Sequence, residues 1–200
     1  MAFIIGLTGG IASGKSTVSK LLEKRGFAIV DADVAARKVV EPGEKANKDI
    51  VEAFGSSILL TDGTLDRAKL GSIVFQNDDE RKKLNAIVHP AVRKKMNDWQ
   101  EEAIKAGKRT IILDIPLLYE SGLTHLVEKT IVVYVNECTQ LKRLIERNNF
   151  TEEEAKSRIA SQIPLKEKME KADAVIDNNG SVEETETQLE QLIEKWKMKP

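Results

Sequence analysis

Gly9-Gly10-Ile11-Ala12-Ser13-Gly14-Lys15-Ser16-Thr17, directly after the apolar run Phe3-Ile4-Ile5-Gly6-Leu7, decides the fold. The stretch fits GxxxxGK followed by Ser, with Gly9 and Gly14 as the fixed glycines. Glycines let the backbone turn tightly and aim successive N–H groups into a concave anion site. The helical pattern Val18, Leu21, Leu22 comes next, and its N-terminus adds partial positive charge. Strand, loop and helix in that order predict a triphosphate site rather than a Gly-rich turn that matches by chance. Lys15 is then the residue to reach the β- and γ-phosphates, and the Ser16 hydroxyl the group to ligate Mg²⁺.

Beyond the loop, short apolar strands alternate with helical patterns, which implies a parallel sheet covered on both faces. The expected strands are Phe3 to Thr8, Ala28 to Val30 ending at Asp31, Thr110 to Leu113 ending at Asp114, Thr130 to Val135, and Ala174 to Ile176 ending at Asp177. The gap between the second and third strands is too long for one crossover helix. It holds helical patterns over Val34 to Val40, Ala46 to Phe54, Leu65 to Phe75, Arg81 to Val88 and Ala91 to Ala106. We read residues 34–106 as a helical insertion that grips an acceptor, against the alternative of plain scaffold. A charge-dense stretch, 141–171, reads as a mobile lid. Within it, Thr151-Glu152-Glu153-Glu154 is a capping-box pattern, and Ser181 with Glu184 is another that opens a C-terminal amphipathic helix. The core is then 1–33, 107–140 and 172–200 of a single domain.

Composition narrows the class. Hydrophobic residues make up 41% and charged residues 32% of 200, with a net charge of −1. That describes a globular protein with no global field for nucleic acid or an anionic membrane. No run approaches a membrane span. Cys138 is the one cysteine, so no intramolecular disulfide forms, and it has no metal-ligand spacing around it. The apolar N-terminal segment runs straight into the loop, so cleavage as a signal peptide would remove the site. A cytoplasmic location is expected. The sequence sets no oligomeric state; a monomer is the expectation.

Several side chains are candidates for chemistry. Asp31 and Asp33 close the second strand, where ligands of open parallel sheets sit. One of them suits an orienting or basic role toward an attacking hydroxyl; the alternative for Asp33 is a helix N-cap. Asp114 ends the third strand and suits magnesium or its water shell, or else a loop carboxylate bonded to backbone. Arg143 and Arg147 share one helical face, fit either for a transferring phosphoryl group or for salt bridges with Glu146 and its neighbours. His89-Pro90 sits between two helical patterns, with His89 either at a substrate or structural. His125 has no evident partner, and Trp99 and Trp196 read as packing residues.

Together these segments resemble the dephospho-CoA kinase family. The resemblance rests on the phosphate loop together with Asp31-Ala32-Asp33, Ala36-Arg37, His89-Pro90 and Ile115-Pro116-Leu117-Leu118-Tyr119-Glu120. It rests also on Gln140-Leu141-Lys142-Arg143 with Arg147, and on Ala172-Asp173-Ala174-Val175-Ile176-Asp177-Asn178-Asn179-Gly180. The matches run in the family's order over nearly the whole length. They imply a P-loop NTPase fold, α/β in three layers (α/β/α), with a five-stranded parallel sheet, a helical acceptor-binding insertion and a lid. They imply transfer of the ATP γ-phosphoryl group to the ribose 3′-hydroxyl of dephospho-CoA, with Mg²⁺, and no nucleic-acid or membrane partner. By resemblance Asp33, Lys15 and Arg143 are catalytic. ATP contacts are Gly9, Gly10, Ala12, Ser13, Gly14, Lys15, Ser16, Thr17 and Arg147, with Asn178 and Asn179 near the adenine. Arg37, His89, Leu117, Tyr119 and Glu120 join Asp33 at the acceptor, and Ser16 and Asp114 serve the metal. Competing readings are a kinase of the same fold for a nucleoside monophosphate or a sugar, and a nucleotide switch with no small acceptor.

Overall fold

The computed structural model describes residues 2–75 and 77–200. Two units emerge: one contains the chain up to Val30 together with Glu102–Pro200, the other Asp31–Glu101.

The first unit holds the sheet. Its strands are β1 (Phe3–Gly9), β2 (Ala28–Asp31, whose last residue opens the second unit), β3 (Thr110–Asp114), β4 (Lys129–Tyr134) and β5 (Ala174–Asp177), in spatial order β2-β3-β1-β4-β5. The β1–β3, β1–β4 and β4–β5 pairs are parallel, with Leu7 opposite both Asp114 and Ile131. Side chains alternate between faces along each strand. Ile131 and Val133 therefore pack with Val18, Leu22, Leu189 and Leu192 of α1 (Lys15–Lys24) and α9 (Val182–Trp196). Val132, between them, faces the other way, toward Leu165 and Met169 of α8 (Leu165–Lys171). Helices thus cover both faces. Each fully buried Ile or Val contributes about 1.5–3 kcal/mol. Gly6 also faces the α8 side, where a Cβ would meet Leu118 at 2.9 Å and Val127 at 3.2 Å.

β2, β3 and β5 keep their expected bounds; β1 runs one residue further and carries the first loop glycine in its ladder, and β4 sits one residue earlier than expected. α6 (Glu137–Asn148) and α7 (Glu152–Ala160) follow β4, and both expected capping boxes, Thr151–Glu154 and Ser181–Glu184, form. Trp196 packs edge-on against Phe3, with ring centroids 6.3 Å apart.

The second unit contains α2 (Ala32–Lys38), α3 (Lys45–Phe54), α4 (Arg67–Phe75) and most of α5 (Asp78–Lys105) around Ile50, Ile58 and Leu70. One sequence expectation and one alternative reading fail here. First, the break at His89-Pro90 does not occur: α5 is continuous with Pro90 inside it. Proline removes one helical hydrogen bond and crowds the carbonyl four residues back, at a cost of about 3 kcal/mol. Leu84, Ile87 and Val88 pack on the Ile50 cluster just before the proline, and Met96 is buried just after it. That burial offsets the loss. Second, the cap of α2 is Asp31, whose Oδ1 accepts from Val34 N at 2.9 Å; Asp33 lies in the first turn.

Candidate active site

The phosphate loop starts inside the central strand and ends in the first turn of α1. Its backbone needs two unusual conformations: Gly14 has φ +86°, and Ala12 has φ 60°. Gly14 has a second requirement, since a Cβ there would collide with the Asn178 side-chain amide. Gly10 is equally confined, with Gln140 Nε2 at 2.7 Å and Leu165 at 3.0 Å from a hypothetical Cβ.

Four side chains from outside the loop hold its main chain. Gln140 Nε2 donates to Ile11 O at 2.9 Å, and Gln162 Oε1 accepts from Ile11 N at 2.8 Å. Lys168 Nζ donates to Gly9 O at 3.0 Å. Asn178 Nδ2 donates to Ser13 O at 2.8 Å, while its Oδ1 accepts from Thr185 Oγ1 at 2.9 Å. The result is a preset nest of amides rather than a loop that must order around its ligand, which is how oriented N–H groups bind anions. Of these four, Gln162 and Lys168 carry no signal in the sequence; each is one polar residue in a charged stretch.

Two cations lie at the loop. Lys15 forms an ion pair with Asp114, which is 2% exposed at the end of β3. Arg143, on α6, has an Nη 3.8 Å from where a Cβ on Gly14 would stand, and its guanidinium has no protein partner among the described residues. Arg147 is exposed, its Nε donating to Asn148 Oδ1 at 2.8 Å. Asn179 Oδ1 accepts from Asn136 N at 3.0 Å, and Asn179 donates from its backbone and its side chain to Asp177 Oδ1.

The Ser16 hydroxyl is exposed at the loop's end. No group of three His, Cys, Asp or Glu suited to a metal occurs among the described residues. One hydroxyl with one nearby carboxylate is a hard, sparse oxygen set. It fits Mg²⁺, which keeps most of its waters.

The loop after β3 divides its residues. Leu117 is 42% exposed. Tyr119 OH donates to Thr130 Oγ1 at 3.1 Å, and burial raises its pKa. Glu120 Oε1 lies 2.7 Å from Lys168 Nζ and accepts from Ile163 N at 3.1 Å. A cleft of about 890 Å³ lies between α6, α7 and the start of α8, lined by Val135, Leu141, Ile159, Ile163 and Leu165.

Asp33, Arg37 and His89 belong to the second unit, and all three are exposed. Arg37 Nε donates to the Asp33 carbonyl at 3.3 Å. With the cap supplied by Asp31, the Asp33 carboxylate has no hydrogen bond or ion pair among the described residues. His125 Nδ1 lies 2.9 Å from Gly122 O, a local turn contact. No described helix is long and apolar enough to cross a membrane.

The chain is similar to known proteins over nearly its whole length. The family model for dephospho-CoA kinase matches residues 3–184. The dephospho-CoA kinase of Geobacillus kaustophilus is 61% identical over 98% of both chains, and that of Oceanobacillus iheyensis is 57% identical over the same share. The solved structure of dephospho-CoA kinase from Campylobacter jejuni, 32% identical, superposes with a TM-score of 0.74 over 98% of each chain. The chain belongs to the dephospho-CoA kinase family.

Proposed function

We propose that the chain catalyses its family's reaction: ATP phosphorylates dephospho-CoA on the ribose 3′-hydroxyl, giving CoA and ADP in the last step of CoA synthesis. The observation that carries the reading is the family match over residues 3–184, joined to a phosphate loop already held in its anion-binding shape.

ATP binds with its β- and γ-phosphates against the amides of Gly9 to Thr17 and the N-terminus of α1. The phosphates draw Lys15 from Asp114 to the transferring group. Arg143 joins it there, an unpaired guanidinium suited to spread negative charge. Arg147 supplies a second cation from the same helix. Asn178 acts through the Ser13 carbonyl, and Asn179 borders the adenine. Ser16 and Asp114 would hold Mg²⁺ and its water shell; the ion supplies charge neutralisation at the phosphates.

On the acceptor side Asp33 orients the 3′-hydroxyl and takes its proton. Arg37 and His89 suit the acceptor's phosphates, and Leu117 offers it an apolar contact. Tyr119 and Glu120 shape the loop that carries Leu117. Residues 34–106 form the acceptor-binding insertion. The lid lies within 141–171, from the later turns of α6 through α7, and its closure excludes water that would otherwise compete for the γ-phosphate. The free thiol of Cys138 and the use of ATP suit the cytoplasm.

Coupled ADP release across acceptors tests the assignment. Turnover with dephospho-CoA, and phosphorus NMR showing a new 3′-phosphomonoester, are expected. Turnover of a nucleoside monophosphate or a sugar in its place would overturn it.

A further inference from the structure

Behind the phosphate loop a fully buried lysine pairs with a partly buried carboxylate, a pair for which phosphoryl transfer has no direct use. Lys168 is fully buried. Its Nζ reaches the carbonyl of the first loop glycine, Gly9, at 3.0 Å and Glu120 Oε1 at 2.7 Å. The same Oε1 accepts from Ile163 N at 3.1 Å, and the residue before it, Gln162, accepts from Ile11 N at 2.8 Å. Glu120 Oε2 is buried with no partner among the described residues, so the carboxylate depends on Lys168 for its counter-charge.

These bonds join three pieces of the first unit: the start of the phosphate loop, the loop after β3, and the return of the chain from α7 to α8. Stability alone is a poor account of them. Removing an ammonium from water carries a desolvation cost that an ion pair only partly returns, and apolar residues of similar size often serve a core better. Leu165 and Met169 already anchor α8 to β4 through apolar contacts. What a charged tether adds is a fixed direction for the Gly9 carbonyl and a fixed place for the Gln162–Ile163 return.

We infer that Lys168, with Glu120, is a positioning residue for phosphoryl transfer: it sets the phosphate loop and the return of the lid arm against each other. The inference rests on the kinase reading above. Lys168 touches no reacting atom; it acts through Gly9, and through Glu120 on Ile163. Glu120 thereby has a role in addition to shaping the acceptor loop.

The test compares Lys168→Met, Glu120→Gln and the double variant with wild type. Melting temperature, direct binding of a fluorescent ATP analogue with Mg²⁺, and kcat and KM with dephospho-CoA are all measured. Lys168→Met leaves a carboxylate without its counter-charge and lowers the melting temperature. Glu120→Gln keeps the acceptor for Ile163 N and is the milder probe if the first variant folds poorly. The double variant removes both charges together, so its melting temperature returns toward wild type. Its affinity for the ATP analogue is expected to stay at least 10-fold weaker, and its kcat at least 10-fold lower, as for a misaligned site. A double variant with wild-type melting, nucleotide affinity and kcat overturns the inference. So does a set of variants whose losses disappear when assayed far below their melting temperatures. Wild-type protein that binds the analogue but never phosphorylates dephospho-CoA would overturn the function instead, and the binding data would still decide the role of Lys168.

Discussion

Asn178 donates its side-chain amide to the Ser13 carbonyl at 2.8 Å, so the residue after β5 holds the middle of the phosphate loop. It is 6% exposed, and its oxygen is occupied by the Thr185 hydroxyl. Asn178→Ala takes the side-chain donor from the Ser13 carbonyl in a buried place, while the Thr185 hydroxyl keeps the Ser181 carbonyl at 3.1 Å. We expect a loss of about 1–3 kcal/mol in stability by chemical denaturation, from the desolvation left uncompensated. KM for ATP rises by about 10-fold, as the loop amides lose their fixed aim. An unchanged KM would make Asn178 a plain core residue.

Lys15→Ala removes the cation at the transferred group and its ion pair with the buried Asp114 carboxylate. The expected result is a kcat lower by about 10²–10³-fold, the usual loss for one electrostatic contact made in the transition state. Lys15→Arg keeps the charge but replaces a compact ammonium with a bulkier planar group that does not fit the same place, so it recovers little. Steady-state kinetics with saturating dephospho-CoA checks both.

Asp31 and Asp33 separate two effects that the sequence left entangled. Asp31→Ala deletes the cap of α2 and is expected to cost about 1 kcal/mol in stability. Asp33→Asn leaves the cap in place, so melting stays at wild type while kcat falls by about 10²-fold or more at unchanged ATP affinity. Normal kcat in Asp33→Asn would remove it from the catalytic set.

Asp173 gives a pH-dependent signature. Burial pushes its carboxyl up. The Lys129 ammonium at 2.9 Å and the Thr130 N–H at 2.8 Å pull harder, and the net pKa is lowered. A carboxylate depressed in the folded state stabilises it above the unfolded value, and that contribution is lost as acid takes the pH down through the folded value. Asp173→Asn should therefore melt lower than wild type at neutral pH. The gap should narrow as pH falls below the ordinary aspartate range. A gap constant with pH would assign the effect to packing alone.

Much of this was legible in the chain. GxxxxGK after an apolar run sets β1, the loop and α1 through local chemistry, and β-branched runs mark buried strands. Capping boxes announce themselves because their partners are three residues apart. Pro90 misled, because a proline weakens a helix locally while the burial that sustains α5 comes from α3, α4 and the turn at Ile58, far along the chain. The straps on the loop were invisible for the same reason. Gln162 and Lys168 reach Ile11 and Gly9 only after the sheet has formed, and neither periodicity nor spacing encodes such a contact.

The strand order has a consequence for how the molecule is made. β1 is central, and its neighbours β3 and β4 begin only at Thr110 and Lys129. During synthesis the first apolar strand leaves the ribosome with no partner and waits for most of the chain to follow. Such distant pairing is slow and leaves an open edge that invites association with other chains. The nucleotide loop, tied to Asn178, is completed only when β5 has docked. A newborn chain therefore passes through a vulnerable interval in which a chaperone can shield β1, and affinity for ATP is acquired at the end of folding.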